Sequence, residues 1–137
     1  MICLYCGQKT KITNSRAQKR SFSTWRRHHC PGCAQTFTTQ ERVDLAASVN
    51  FITSDGHSHP FIRETLLQSL YESLKYRPKA LTEAVDLTDT VINKLLPYLD
   101  HGNLGRNIVV ETTRTVLKRF DPVAATTYLA YHPAIKS

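Results

Sequence analysis

The sequence predicts an α+β chain: a small β module organised around four cysteines, then a mainly α-helical body that opens with a β-hairpin. Three observations carry this. All four cysteines fall within the first 33 of 137 residues, as two C-x2-C pairs. Short β-branched and aromatic runs lie between and just after them. Beyond residue 60, apolar residues recur at helical spacing, punctuated by Arg77-Pro78, His101-Gly102 and Asp121-Pro122.

Cys3 and Cys6 form one pair, Cys30 and Cys33 the other, with 23 residues between them. Two such knuckles can set four sulfurs at the corners of a tetrahedron, the geometry that structural Zn2+ takes with thiolates. Gly7 follows the first pair and Pro31-Gly32 lie inside the second, residues suited to tight turns. Two disulfides are a rival reading, but the N-terminus has no charged region followed by an apolar run, so a non-secreted, disulfide-poor context is expected. A thioredoxin-type redox pair is another, and it expects one C-x-x-C beside a βαβ pattern. The spacing favours zinc. Size argues the same way, because a module of this length with so few large apolar residues needs a metal or disulfides to fold. His28 and His29 are possible replacement ligands, but beside four spaced thiols they read as surface or nucleic-acid contacts. A four-thiolate site is closed and therefore structural, not catalytic.

Within the module, strands are expected over 9–13 and 21–25, joined by 14–20, with a third over 36–39. Charge is concentrated here. The net charge of the chain is +7. Residues 1–45 hold eight Lys and Arg against Glu41 and Asp44, whereas residues 46–137 hold ten basic and nine acidic side chains. Lys9, Lys11, Arg16, Lys19, Arg20, Arg26 and Arg27, with His28 and His29, therefore crowd a small surface. Lys and Arg neutralise phosphates, and Arg also reads guanine edges. Trp25 is either a base-stacking platform or the largest core residue of the module.

The body begins with Asp55-Gly56 between two short runs, a hairpin signal. Pro60 is placed at the first turn of a helix whose apolar residues are Ile62, Leu66, Leu67, Leu70, Tyr71 and Leu74. Thr82 is expected to cap a second helix with Val85, Val91, Ile92, Leu95, Leu96 and Leu99 on its apolar stripe, shortened by Pro97 and ended by His101-Gly102. A third runs from about Arg106 to Phe120 with Ile108, Val109, Thr112, Val116 and Leu117 inward. Asp121-Pro122 opens a fourth, ending near His132-Pro133. No stretch reaches the ~18 apolar residues of a membrane span, so no membrane partner is expected. No Ser/His/Asp set, Cys/His set or phosphate-binding loop assembles, so no enzyme is expected.

One family matches this order of motifs. The run C-x-x-C, Thr-Lys-Ile-x-Asn-Ser-Arg, Trp-Arg-Arg-His-His-Cys-Pro-x-Cys and Thr-Phe-Thr-Thr-Gln-Glu-Arg-Val resembles the NrdR repressors of bacterial ribonucleotide reductase genes. Asp55-Gly56 with Pro60-Phe61, Arg77-Pro78 and Phe120-Asp121-x-Val123-Ala124 resemble the ATP-cone that follows the zinc ribbon in that family. The resemblance implies a zinc ribbon over 1–45 that binds double-stranded DNA, with Lys9, Lys11, Ser15, Arg16, Arg26 and Arg27 toward it. It implies an ATP-cone-like domain over 46–137, ATP or dATP as ligands, a homo-oligomer and a cytoplasmic location. Departures are also visible. Thr53, Ser54 and Thr65 stand where the family has cations that meet phosphates, which leaves Arg63, Arg77, Lys79 or His59 to take that part. The expectation is a DNA-binding repressor of nucleotide-metabolism genes. An RNA- or ribosome-associated ribbon protein, and an adaptor with a non-sensing cone, stand beside it.

Overall fold

The computed structural model describes residues 1–133, and the chain divides into two units, Met1–Val43 and Asp44–Ser137. In the first, β1 (Lys11–Gln18), β2 (Ser23–His29) and β3 (Thr36–Arg42) form one antiparallel sheet in chain order. The first two strands run well past the expected segments. Residues 14–18, expected as a connection, continue β1 and pair with β2 from Asn14↔Arg27 to Gln18↔Ser23. These residues, Asn-Ser-Arg-Ala-Gln, have little strand preference of their own. The ladder to β2 imposes the conformation, since paired backbone groups are satisfied there. The turn shrinks to a 3-10 turn at Lys19–Ser21 and closes on Phe22, at φ 50°. The register shifts between Ile12 and Asn14, leaving Thr13 as an extra residue in β1.

In the second unit, Asp44 caps the short helix α1 (Leu45–Ser48) by accepting from the Ala47 amide at 3.2 Å. Strands β4 (Asn50–Ile52) and β5 (Ser58–Pro60) form the hairpin that Asp55-Gly56 announces, with Gly56 at φ 86°. Helices α2 (Arg63–Leu74) and α3 (Ala80–Leu95) follow, then a 3-10 turn at Leu96–Tyr98. They form the crossover to β6 (Asn103–Gly105), which pairs parallel to β4, in the order β5-β4-β6. Helices α4 (Arg106–Phe120) and α5 (Pro122–Tyr131) complete the unit. Neither α1 nor β6 was expected, because elements of four and three residues leave no periodicity to read.

Three expected boundaries move. Pro60 closes β5 instead of opening a helix. β5 is an edge strand, where a missing N–H is tolerated, and α2 starts at Arg63. Thr82 does not cap α3, which begins at Ala80 because that residue is buried against the core. His101-Gly102 does not end α3; Pro97 cannot continue the α-helical bonding and the helix stops at Leu95. His101 and Gly102 instead turn the chain into β6 with φ 49° and 80°.

The core of this unit is built from Leu66, Leu70 and Leu74 of α2, Ala84, Val91 and Leu95 of α3, and Val110 and Leu117 of α4, with Tyr128 of α5. Tyr71 and Leu99, expected in apolar stripes, are exposed. On α4 the inward face is Val109, Val110, Thr113, Val116 and Leu117, so Thr113 and not Thr112 is buried. Buried Thr88 and Thr113 donate to the carbonyls one turn back, Ala84 at 2.6 Å and Val109 at 2.7 Å. That satisfies their hydroxyls inside an apolar bundle.

Asp121 ties the helices together. One carboxylate oxygen accepts from the Val123 amide at 3.0 Å and caps α5. The other accepts from the Tyr76 hydroxyl and from Arg77 at 2.9 Å. Arg77 also donates to Glu83 and lies over the Phe120 ring at 4.8 Å. The Tyr76 hydroxyl, above all, holds the Asp121 carboxyl below the usual carboxylate range. Its contribution is therefore present above the ordinary carboxylate pKa and is lost as acid protonates it. Asp121→Ala removes the cap and a part-exposed ion pair, and should cost about 2 kcal/mol. Urea melts followed at 222 nm check this. A midpoint equal to that of the unaltered chain would show the network to be dispensable.

Candidate metal centre and nucleic-acid interface

The two C-x2-C knuckles are built alike. In the first, the Cys3 amide donates to the Gln8 carbonyl at 2.7 Å and the Gly7 amide to the Cys3 carbonyl at 3.0 Å. In the second, Cys30 bonds Gln35 at 2.9 Å and Ala34 bonds Cys30 at 2.8 Å, at the same offsets. The residue after each pair is left-handed, Gly7 at φ 79° and Ala34 at φ 62°. The glycine inside the second knuckle, Gly32, is therefore not the counterpart of Gly7, and an alanine takes the strained position.

These turns aim four sulfurs at one point. The ligand atoms of Cys3, Cys6, Cys30 and Cys33 lie within 4.8 Å of one another. The Cys3–Cys33 Sγ separation is 3.7 Å and the Cys6–Cys30 separation 3.4 Å. A tetrahedral ion with Zn–S bonds of ~2.3 Å sets sulfurs about 3.8 Å apart, so the donor set fits Zn2+ and leaves no open position. His28 is no ligand and no surface group. It is buried, its ring stacks on Phe37 at 5.2 Å, and its nitrogens meet the hydroxyls of Thr10 at 3.3 Å and Thr39 at 2.8 Å.

The strand register then sorts the basic residues onto two faces, because paired residues share a side and neighbours alternate. Arg16, Trp25 and Gln40 stand in one row, and Asn14, Arg27 and Thr38 in the next, on the same face. Lys11 with His29, and Ser23 with Arg42, extend that face at its two ends. The opposite face carries the row Ile12–His28–Phe37 and the row Ser15–Arg26–Thr39. Adjacent Arg26 and Arg27 thus point apart. Arg26 donates to Glu41 at 2.8 Å, whereas exposed Arg27 lies 5.9 Å from the Trp25 ring centre. Glu41 is the one carboxylate side chain in Met1–Val43, and it stands on the Arg26 side. The Arg27 face therefore bears Lys11, Arg16, Arg27 and Arg42 and, among the described residues of its strands, no acid. Lys9 is exposed just before β1.

In the second unit a cavity of about 690 Å³ opens beside the hairpin. Of the four residues expected to meet phosphates, His59 lines it. Arg63 is paired with Asp89 at 2.6 Å, and Arg77 is held by Glu83 and Asp121; neither they nor Lys79 line the cavity. Arg106 and His132 do, and no local motif marks them for it, since they lie far from the hairpin along the chain.

Cys30→Ser should lose Zn2+ and the sheet's resistance to unfolding while leaving the helical unit intact. Metal analysis of the purified chain beside its far-UV spectrum checks this. Full zinc content in the variant would contradict the four-sulfur centre.

Comparison with known proteins bears on both units. Residues 1–41 match the family described as "Transcriptional repressor NrdR-like, N-terminal domain", a zinc ribbon. Over 125 residues the chain is 33% identical to the transcriptional repressor NrdR of Acidithiobacillus ferrooxidans, covering 90% of this chain and 76% of that protein. It is 33% identical over 132 residues to the transcriptional repressor NrdR 2 of Paramagnetospirillum magneticum, covering 96% and 83%. For the Rhodospirillum centenum protein of the same name the identity is 31%, over 96% of this chain and 85% of that one. With a four-thiolate centre for one structural Zn2+ and similarity running through both units, the chain belongs to the NrdR family.

Proposed function

We propose that this chain is a DNA-binding transcriptional repressor that lays the Arg27 face of its zinc-held sheet on duplex DNA. The sorting of charge carries the reading: four cations share one face, and the unit's one carboxylate side chain stands on the opposite one, paired with Arg26. A duplex presents phosphates at close spacing, and an acid-free cationic face releases their counterions on binding. Arg16 and Arg27 are the candidates for guanidinium contacts, with Lys9, Lys11 and Arg42 neutralising phosphates at the edges. Asn14 and Gln40 share that face and offer amide groups suited to base edges. Ser15, Arg26 and His28, which the sequence also suggested as contacts, stand on the opposite face, where Arg26 is paired with Glu41, His28 is buried and Ser15 is exposed.

A ribbon this small gives little interface, so affinity on an operator requires two or more linked copies. The body of the chain, over 46–137, is the part that would join them. The targets implied by the resemblance are genes of ribonucleotide reductase or nucleotide metabolism, and the place of action is the cytoplasm, where bacterial DNA lies. Repression is a binding function, and no catalysis is proposed. A half-buried tryptophan on the cationic face also suits unpaired bases, so RNA is the second reading.

A salt titration of duplex affinity separates the two arginines. Arg27→Ala should flatten the slope of log K against log salt by about 0.9, the share of one phosphate contact, and Arg26→Ala should leave it unchanged. Equal effects from both would refute the two-faced sheet as the interface. Competition with RNA of equal length should leave the duplex bound; displacement by RNA would favour the second reading.

A further inference from the structure

The cavity beside the hairpin is of a size that holds a small molecule. Its apolar wall comes from Phe51, Phe61, Leu66, Val109, Val110 and Tyr128. Hydroxyls of Thr53, Ser54, Thr65 and Ser69 lie among its lining residues. Among the described residues of its lining, the one side chain with a fixed positive charge is Arg106, at the start of α4. One nitrogen of Arg106 donates to the Pro133 carbonyl at 3.1 Å, and a guanidinium keeps further donors for a ligand. His132 also lines the cavity, stacked on Tyr128 at 4.5 Å. Burial, and then the nearby Arg106, push its pKa below the ordinary histidine value, so it adds no charge at neutral pH. Asp55 lines the same cavity and is negative, held so by hydrogen bonds from Thr53 and His57.

The charges of Arg106 and Asp55 cancel, and two of the cations expected at a phosphate are engaged by acids, Arg63 with Asp89 and Arg77 with Glu83 and Asp121. A triphosphate brings several negative charges, each needing a charge-assisted partner that this lining does not supply. A ligand with an apolar body and a single acid group matches it instead. We infer that this cavity binds a largely apolar monocarboxylate, its acid group on Arg106, and discriminates against nucleoside triphosphates. The inference goes beyond DNA binding and does not depend on it.

Calorimetry on the zinc-loaded full chain tests this, with 4-phenylbutyrate, 4-phenylbutyramide, ATP and dATP as probes. The acid should bind at least about tenfold more tightly than its amide, the effect of one charge-assisted hydrogen bond, and more tightly than either nucleotide. Arg106→Gln should erase the difference between acid and amide. Should that variant fail to fold, Thr65→Lys, at an exposed position of the lining, keeps the question open to test. An added cation there should raise ATP and dATP affinity by about tenfold or more. Tighter binding of ATP or dATP than of the acid by the unaltered chain would overturn the inference. So would equal binding of acid and amide, or no binding of the acid.

Discussion

Four cysteine sulfurs converging on one point are the constraint from which the N-terminal unit follows. Without them, Met1–Val43 has little to hold it together. Its large apolar side chains are few, and Ile2, Leu4, Tyr5 and Ile12 are exposed. The two knuckles gather one end of a three-stranded antiparallel sheet, since Cys6 precedes β1 and Cys30 and Cys33 lie between β2 and β3, beside the row Lys11–His29–Thr36. Buried His28, with a threonine hydroxyl on each side and Phe37 stacked against it, fills the space that a hydrophobic core would fill in a larger domain. The free energy of thiolate coordination takes the place of buried apolar area.

Once the sheet is fixed, strand alternation does the electrostatic sorting. Arg26 and Arg27 are neighbours in sequence and opposites in space, and Glu41 in β3 stands with Arg26 through the register. One extra residue at Thr13 decides which side Asn14 and Arg16 occupy. A cationic face without a carboxylate is thus a consequence of register and not of composition alone. In the helical unit three of the five arginines are taken up by acids. Arg63, Arg77 and Arg114 are each paired with an acid, and Arg77 with Asp121 works as a clamp between helices.

Some of this was legible in the sequence. The cysteine spacing identified the metal centre because ligand geometry is local and residue-specific. Asp121-Pro122 fixed the junction of α4 and α5 because cap and proline chemistry act within one turn. Other features depend on partners remote in sequence. Residues 14–18, without β-branched or aromatic side chains, became strand through pairing with β2. The segment Asn103–Gly105 became strand by lying beside β4. Arg77 looked like an anion-binding residue until its two acids were located, one of them 44 residues away. His28 looked like a surface group because nothing local marks it as buried. Arg106 joins the hairpin cavity only through tertiary packing.

The central claim is that a metal-held sheet presents one particular face to a duplex. Backbone amide and Trp25 indole resonances of the zinc-loaded full chain, followed while duplex DNA is added, test it most directly. The account predicts that the largest shifts fall on Asn14, Arg16, Trp25, Arg27, Thr38 and Gln40, with Thr39 and Glu41 moving little. Shifts centred on Ser15, Arg26, Thr39 and Glu41, or on the helical unit alone, would contradict it.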